Sequence, residues 1–284
     1  MELRTDLALE MRQMHPDCGG VTCDERTENG VRITTLTVET REAVQKLGRS
    51  PGTYVTAELP PLTDHAFLPS QSYETISEQL IRLLPKEGTV LVAGLGNLSV
   101  TPDALGPKAA SMIPATRHIM RELERSTGES GLRSCAVIAP GVLGQTGVEA
   151  AELIAAVCRS IKPSAVIAID ALASRSVRHL GCTVQISDTG IHPGSGVGNC
   201  RPSISEKELG VPVIALGVPT VVDASTLAHD LTGGSAHSVD PEGRKMIVTP
   251  SEIDLLIDRA ARLVALAVNH ALHPSIDPEE LLAL

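Results

Sequence analysis

Aromatic side chains are almost missing from this 284-residue chain, which has no tryptophan and only Phe67, Tyr54 and Tyr73. Proteins that hold single-stranded nucleic acid stack its bases on aromatic platforms, and this chain has too few to build one. Positive charge is also scarce: 24 Lys and Arg stand against 34 Asp and Glu, a formal net charge of -10. Such a field repels phosphate and favours basic partners, so no direct contact with nucleic acid is expected. The six cysteines (Cys18, Cys23, Cys135, Cys158, Cys182, Cys200) include no C-x-x-C pair, and several lie in apolar runs, as reduced thiols acting as small buried hydrophobes do. No apolar run approaches the roughly 20 residues that cross a bilayer, and the first residues lack a basic stretch followed by an apolar one. A soluble cytosolic protein with no membrane partner is the expectation.

The residues that are present, 42% hydrophobic and 20% charged, suit a globular domain. Short β-favouring runs at 31–38, 53–57, 90–92, 135–140, 165–170, 182–187 and 212–217 predict strands. Helical spacing appears at 72–84, 148–160 and 250–272, with a further helix expected after Pro219. This alternation predicts one α/β domain over residues 31–284, a mostly parallel or mixed sheet with helices on both faces. The last helix is apolar around much of its circumference, which places it in the core or at a subunit interface. Residues 1–30 are polar, carry Pro16, Gly19 and Gly20 and show no sustained period, so they read as an arm outside the core. The stretch 232–243 has the composition of a flexible loop.

Candidate chemistry gathers around Thr89-Val-Leu-Val-Ala-Gly-Leu-Gly-Asn97 and Thr101-Pro-Asp-Ala-Leu-Gly-Pro107. A buried strand there ends in the tight turn Gly94-Leu-Gly96-Asn97. Thr101 is then placed to cap a helix, with Pro102 at its first position and Asp103 in its first turn. Asp103 thus stands at the carboxyl edge of a sheet, where open α/β folds build ligand sites. The turn lacks the third glycine of a dinucleotide fingerprint, which argues against a nucleotide cofactor. Asp170 follows Val166-Ile-Ala-Ile169 at the predicted end of a second buried strand, where a carboxylate must be paired, bound or used. Two such acids over one sheet edge can share a proton as general acid and base, and the same geometry can hold a metal. A third element, Ser187-Asp-Thr-Gly-Ile-His-Pro-Gly-Ser-Gly-Val-Gly-Asn199, brings Asp188, His192, Gly194 and Gly196 into a glycine-rich loop suited to close approach of a ligand or an extended peptide. Its Ser195 does not sit in G-x-S-x-G, so a serine triad is not supported.

Arg4-Thr-Asp-Leu-Ala8, Gly94-Leu-Gly-Asn97 with Thr101 to Pro107, Ala168-Ile-Asp-Ala-Leu-Ala173, Ile186 to Asn199 and Gly217-Val-Pro-Thr-Val-Val-Asp-Ala224 together resemble the germination endopeptidases of spore-forming bacteria. The resemblance implies a cytosolic protease of the spore core, made as a zymogen and assembled as a homotetramer, that degrades small acid-soluble spore proteins at germination. It also implies an atypical aspartic mechanism whose two essential acids match Asp103 and Asp170, and a fold like that of the hydrogenase-maturation peptidases. In those enzymes the equivalent acids and a histidine hold a metal, so a divalent-metal peptidase using Asp103, Asp170 and His192 is the alternative, although no H-E-x-x-H or cysteine-rich metal motif is present. A non-catalytic ligand-binding or assembly protein is a further alternative. Finally, Asp6, Leu7, Ala8 and Glu10 reproduce the acid, large apolar residue, alanine and second acid of the family's substrates. The first six residues therefore resemble a propeptide cut between Asp6 and Leu7, with an ordinary helix start capped by Thr5 as the alternative.

Overall fold

The computed structural model describes residues 5–64, 69–119, 132–199, 201–232 and 246–282; most of the predicted loop 232–243, along with Cys200 and Phe67, falls outside them. The described residues form one sheet of nine strands: β1 (Val21–Glu28), β2 (Val31–Val38), β3 (Gly52–Glu58), β4 (Val90–Gly94), β5 (Cys135–Ile138), β6 (Ala165–Ser174), β7 (Thr183–Ser187), β8 (Val213–Asp223) and β9 (Ile247–Val248). The spatial order is β1-β2-β3-β7-β8-β6-β4-β5, with β9 beside the end of β8. Strands β8, β6, β4 and β5 run parallel, whereas β1, β2, β3 and β7 are antiparallel and β7 joins β8 antiparallel, so the sheet is mixed. The parallel strands are the most apolar runs in the sequence because helices cover both of their faces.

One face carries the helices Ser70–Leu83, Leu105–Ser111 and Ile253–Leu272, whose Ile76, Leu80, Leu105, Leu256, Ile257 and Val264 pack on Val92, Ile167, Ile169, Ile214 and Leu216. Each such side chain contributes about 1.5–3 kcal/mol by leaving water. The apolar circumference of Ile253–Leu272 is thus taken up within this chain's own core. On the opposite face, Ile154 and Cys158 of the helix Ala150–Ile161 cover Leu91, Ala93, Val166, Ala168 and Val213. The helices Ala8–Met14 and Arg41–Leu47 cover Leu36, Val38 and Tyr54 further along that same face.

One expectation fails here for an identifiable reason, and another is met a few residues later in the chain than its position suggested. Residues 5–28 do not form an arm outside the core, because Ala8–Met14 packs on the sheet and β1 pairs with β2 along its whole length. The burial of β1 is slight, since it is an edge strand whose Thr and charged residues face water, and that hid it from any reading of hydrophobic period. The helix expected after Pro219 begins only at Ala224, where Asp223 Oδ1 accepts from Thr226 N at 3.0 Å. Pro219 lies inside β8, opposite Leu172, where the β6–β8 register shifts, and such a shift tolerates a residue with no N–H.

Candidate active site

β4 leaves the sheet at Gly94, paired with Ile169 of β6, and the turn begins with Leu95 N donating to Ile169 O at 2.8 Å. Gly96 has φ +114°, and a Cβ on it would collide with the carbonyl oxygen of Asp103, so the turn accepts only glycine. Gly106 lets the helix Leu105–Ser111 approach the same turn, since a Cβ there would meet the carbonyl oxygens of Leu95 and Ile169. The close-packing glycine missing from the turn is therefore supplied by the helix.

Thr101–Asp103 form a single 3-10 turn, and Thr101 makes no capping bond of the kind its sequence position suggested. The turn is tied instead through Asp103, whose Oδ2 accepts from Asn97 N at 2.8 Å, and through Pro102 O, which accepts from Thr220 Oγ1 at 2.8 Å. Asn97 is held in turn, its Oδ1 accepting from Ser99 N at 3.0 Å and Gln145 Nε2 at 2.8 Å.

Asp170 does not end its strand, as the sequence suggested; β6 continues to Ser174, and it is the neighbouring β4 that stops. Its carboxylate is 5% exposed and accepts from Ala171 N at 2.9 Å. Asp170 pairs with Gly217 of β8, and Gly217 pairs with Gln185 of β7, so the two side chains share a face across a residue that has none. Thr56 of β3 and Thr34 of β2 continue this buried polar row.

Burial drives the electrostatics. It pushes the Asp103 carboxyl up to about 6 against the opposing hydrogen bond from Asn97. Asp170 goes well above the ordinary carboxylate range, first through its deeper burial and then through the negative charges of Asp103 and Asp6. Both carboxyls thus hold a proton more readily than a free aspartate does, and at Asp170 the neighbouring negative charges act in the same direction as its burial. Both line a cavity of about 560 Å³ with Asp6, Val142, Arg201 and Thr220. A smaller one of about 80 Å³, bordered by Arg49, Tyr54, Gln185, His192 and Ser195, shares Asp6 and Asp170 with it.

The residues before the helix Ala8–Met14 lie extended between these cavities. Arg49 Nη2 donates to Thr5 O at 2.6 Å, and Asp6 N donates to Ala173 O at 2.7 Å. Asp6 Oδ2 accepts from Ala173 N at 2.8 Å, and Oδ1 accepts from Ser195 Oγ at 2.7 Å. Gln185 brackets Leu7: its Nε2 donates to Asp6 O at 2.9 Å, and its Oε1 accepts from Ala8 N at 2.7 Å. Leu7 is 0% exposed. Thr5 hydrogen-bonds the Glu10 carboxylate, which also accepts from Arg175 N at 2.7 Å and Ser176 N at 2.9 Å.

The model of the germination protease family matches residues 2–233. The chain belongs to that family. A germination protease of Caldanaerobacter subterraneus subsp. tengcongensis is 40% identical over 314 aligned residues, covering 98% of this chain and 97% of the relative. Those of Clostridium perfringens and Priestia megaterium are 38% and 34% identical, covering 98% of this chain each and 98% and 95% of the relatives. Among solved structures, the NiFe hydrogenase maturation protease HycI of Thermococcus kodakarensis overlaps with a TM-score of 0.39 at 18% identity, over 68% of this chain and 98% of that one, and at that level no argument rests on it.

Membership in the germination protease family makes the chain a peptidase. Of the residues singled out from sequence, Gly94, Gly96, Asn97, Asp103, Asp170 and Gly194 converge on one region, joined by Asp6 and Leu7. Asp188 does not join them: it is exposed, and its Oδ1 accepts from Thr53 N at 2.7 Å, closing the β3–β7 pair. His192 is exposed at the rim of the smaller cavity. Among the described residues no three His, Cys, Asp or Glu side chains group as metal ligands would, so this donor set does not fit the three-ligand centre that the hydrogenase-maturation resemblance implies. Gln185 and Arg49 carried no motif, whereas Glu10 belonged to the substrate-like order of residues 6–10. The one trace of Gln185 in the sequence is a polar residue inside an apolar strand, Thr183-Val-Gln-Ile-Ser187.

Proposed function

We propose that this peptidase degrades small acid-soluble spore proteins at germination, that Asp103 and Asp170 are its water-activating pair, and that it removes its own residues 1–6 as a propeptide ahead of a single α/β domain. The observation that supports this reading best is the unequal environment of two aspartates over one cavity, Asp103 raised to about 6 by burial and Asp170 raised well above the ordinary carboxylate range by fuller burial and two neighbouring negative charges. At neutral pH the Asp103 carboxylate takes a proton from water as the water oxygen attacks the scissile carbonyl. The carbon–nitrogen bond then breaks while Asp170 gives its proton to the leaving amine, and return of the proton from Asp103 to Asp170 resets the pair. The homotetramer and the spore-core location belong to the same reading and rest on the family resemblance.

Asp103→Asn and Asp170→Asn keep the shape of each side chain and remove its acid–base capacity. Each variant is expected to lose cleavage of an added spore protein with its circular dichroism unchanged. Substantial cleavage by either, at matched folding, rules out the pair.

A further inference from the structure

The segment Thr5–Ala8 is held closely: every polar group of Asp6 has a partner, and all of them come from the walls of the cavities that contain Asp170. The carboxylate meets one hydroxyl, from Ser195, and one backbone amide, from Ala173. Behind it lies Gly196, where a Cβ would collide with Asp6 Oδ2 and would stand 2.7 Å from the Cβ of Ala173. The pocket therefore has room for a carboxylate because residue 196 is glycine. No lysine or arginine contacts this carboxylate among the described residues, so its recognition is by neutral donors of fixed position, which read shape as well as charge. Beyond the carboxylate, the Gln185 side-chain amide bridges the Asp6 carbonyl and the Ala8 amide, bracketing Leu7 and holding the carbonyl of the Asp6–Leu7 bond on the face that also carries Asp170.

We propose that the pocket now holding Asp6 is the enzyme's subsite for the acidic residue that precedes the cut bond, with the Ser195 hydroxyl and the Ala173 amide as its two donors and Gln185 as the clamp on the bond itself. The inference rests on the peptidase reading above and extends it to specificity. The propeptide occupies the subsite in the precursor, and removal of residues 1–6 vacates it for the corresponding acid of a spore protein. Gln185 touches a reacting atom, since its Nε2 donates to the carbonyl oxygen on which negative charge develops, so it stabilises the tetrahedral intermediate as well as orienting the bond.

The test follows appearance of the Leu7 N-terminus by mass spectrometry in full-length protein, for the unaltered chain, Asp6→Asn, Ser195→Ala and the double variant, each checked for folding by circular dichroism. A hydrogen bond to a charged group is worth a factor of roughly ten to a hundred. Each single variant is expected to slow cleavage by about that much, while the double variant is little slower than the slower single one, because both changes remove the same interaction. Ser195→Thr, which keeps the hydroxyl, retains the discrimination between Asp6 and Asn at that position. Gly196→Ala supplies an arm independent of Ser195 and slows cleavage while Asp6 is present. Single effects that simply multiply, or an unchanged rate in Gly196→Ala, overturn the subsite and leave the peptidase reading standing. A protein that digests added spore protein yet never opens Asp6–Leu7 overturns the subsite together with self-processing. Absence of all proteolysis in the unaltered chain removes the function and the subsite with it.

Discussion

Replacing Asp103 by asparagine should make the protein more stable at neutral pH, which is the opposite of what loss of a well-paired carboxylate does. The amide oxygen can still accept from Asn97 N, so the turn keeps its tie. What disappears is a buried ionisable group whose carboxyl is raised from 3.8 to about 6. The sign follows from the direction of that shift. A carboxyl raised in the folded state binds its proton more tightly there than in the unfolded chain, so its stabilising contribution is complete below pH 3.8 and is lost as pH rises through about 6. Asparagine has no such loss. The gain of Asp103→Asn over the unaltered protein is therefore about 2–3 kcal/mol at pH 7.5, after allowing for partial solvent screening, and about 1 kcal/mol at pH 4.5. In a chain of this size the larger figure raises the unfolding temperature by about 4 °C. Urea denaturation followed by circular dichroism at the two pH values reads the difference directly. An Asn variant no more stable than the parent at pH 7.5, or one with equal gains at both pH values, would refute the buried, raised carboxyl at this site.

Self-processing should run within one chain, because Asp6–Leu7 already lies among residues of its own cleft; the first-order rate of Leu7 N-terminus formation should hold over a hundredfold dilution and vanish in Asp103→Asn. A rate that falls in proportion to concentration would show that the bond is cut by a neighbouring chain. Chelation should leave cleavage of spore protein intact, since among the described residues no three His, Cys, Asp or Glu side chains group as metal ligands would, and the Asp6 carboxylate beside Asp170 is taken up by Ser195 and Ala173. Activity lost in a chelator and restored by one divalent metal would transfer the assignment to a metal-dependent mechanism.

The parallel half of the sheet was legible because its strands are buried on both faces, and an apolar run such as Ala165–Ile169 has little else to become. Asp103 was legible for a related reason: a buried strand ending in glycines forces a turn at the sheet edge, and the first acid after it has to face the opening. Asp170 was found with its strand misjudged, since an acid was taken as the strand's end when the end belonged to β4 alone. The antiparallel half was harder. β1 is a solvent-facing edge strand, and the helix Arg41–Leu47 is only seven residues long, its ends marked by the Thr40 cap and by Gly48 at φ +60°, so local chemistry rather than period defines it. Gln185 was invisible because the signal of a buried polar residue is its partner, and that partner lies 179 residues away at Asp6.

The same remoteness explains the misreading of the N-terminus. A polar segment with no period looks like a solvated arm when each residue is weighed for its own burial, yet the acids of this one are bound rather than solvated. Asp6 takes the amide of Ala173, and Glu10, 2% exposed, takes those of Arg175 and Ser176, so the end of β6 presents backbone donors at the spacing of the two acids. Those amides would be left unsatisfied by an apolar replacement, at about 1–3 kcal/mol for each buried donor. An acid followed four residues later by another acid is thus met by backbone donors of this cleft, and it is the order that the family resemblance implies for substrates. On the reading proposed above, the precursor meets the Ala173 amide with its own Asp6, and removal of residues 1–6 would free that position for a substrate's acid while Glu10 keeps the amides of Arg175 and Ser176.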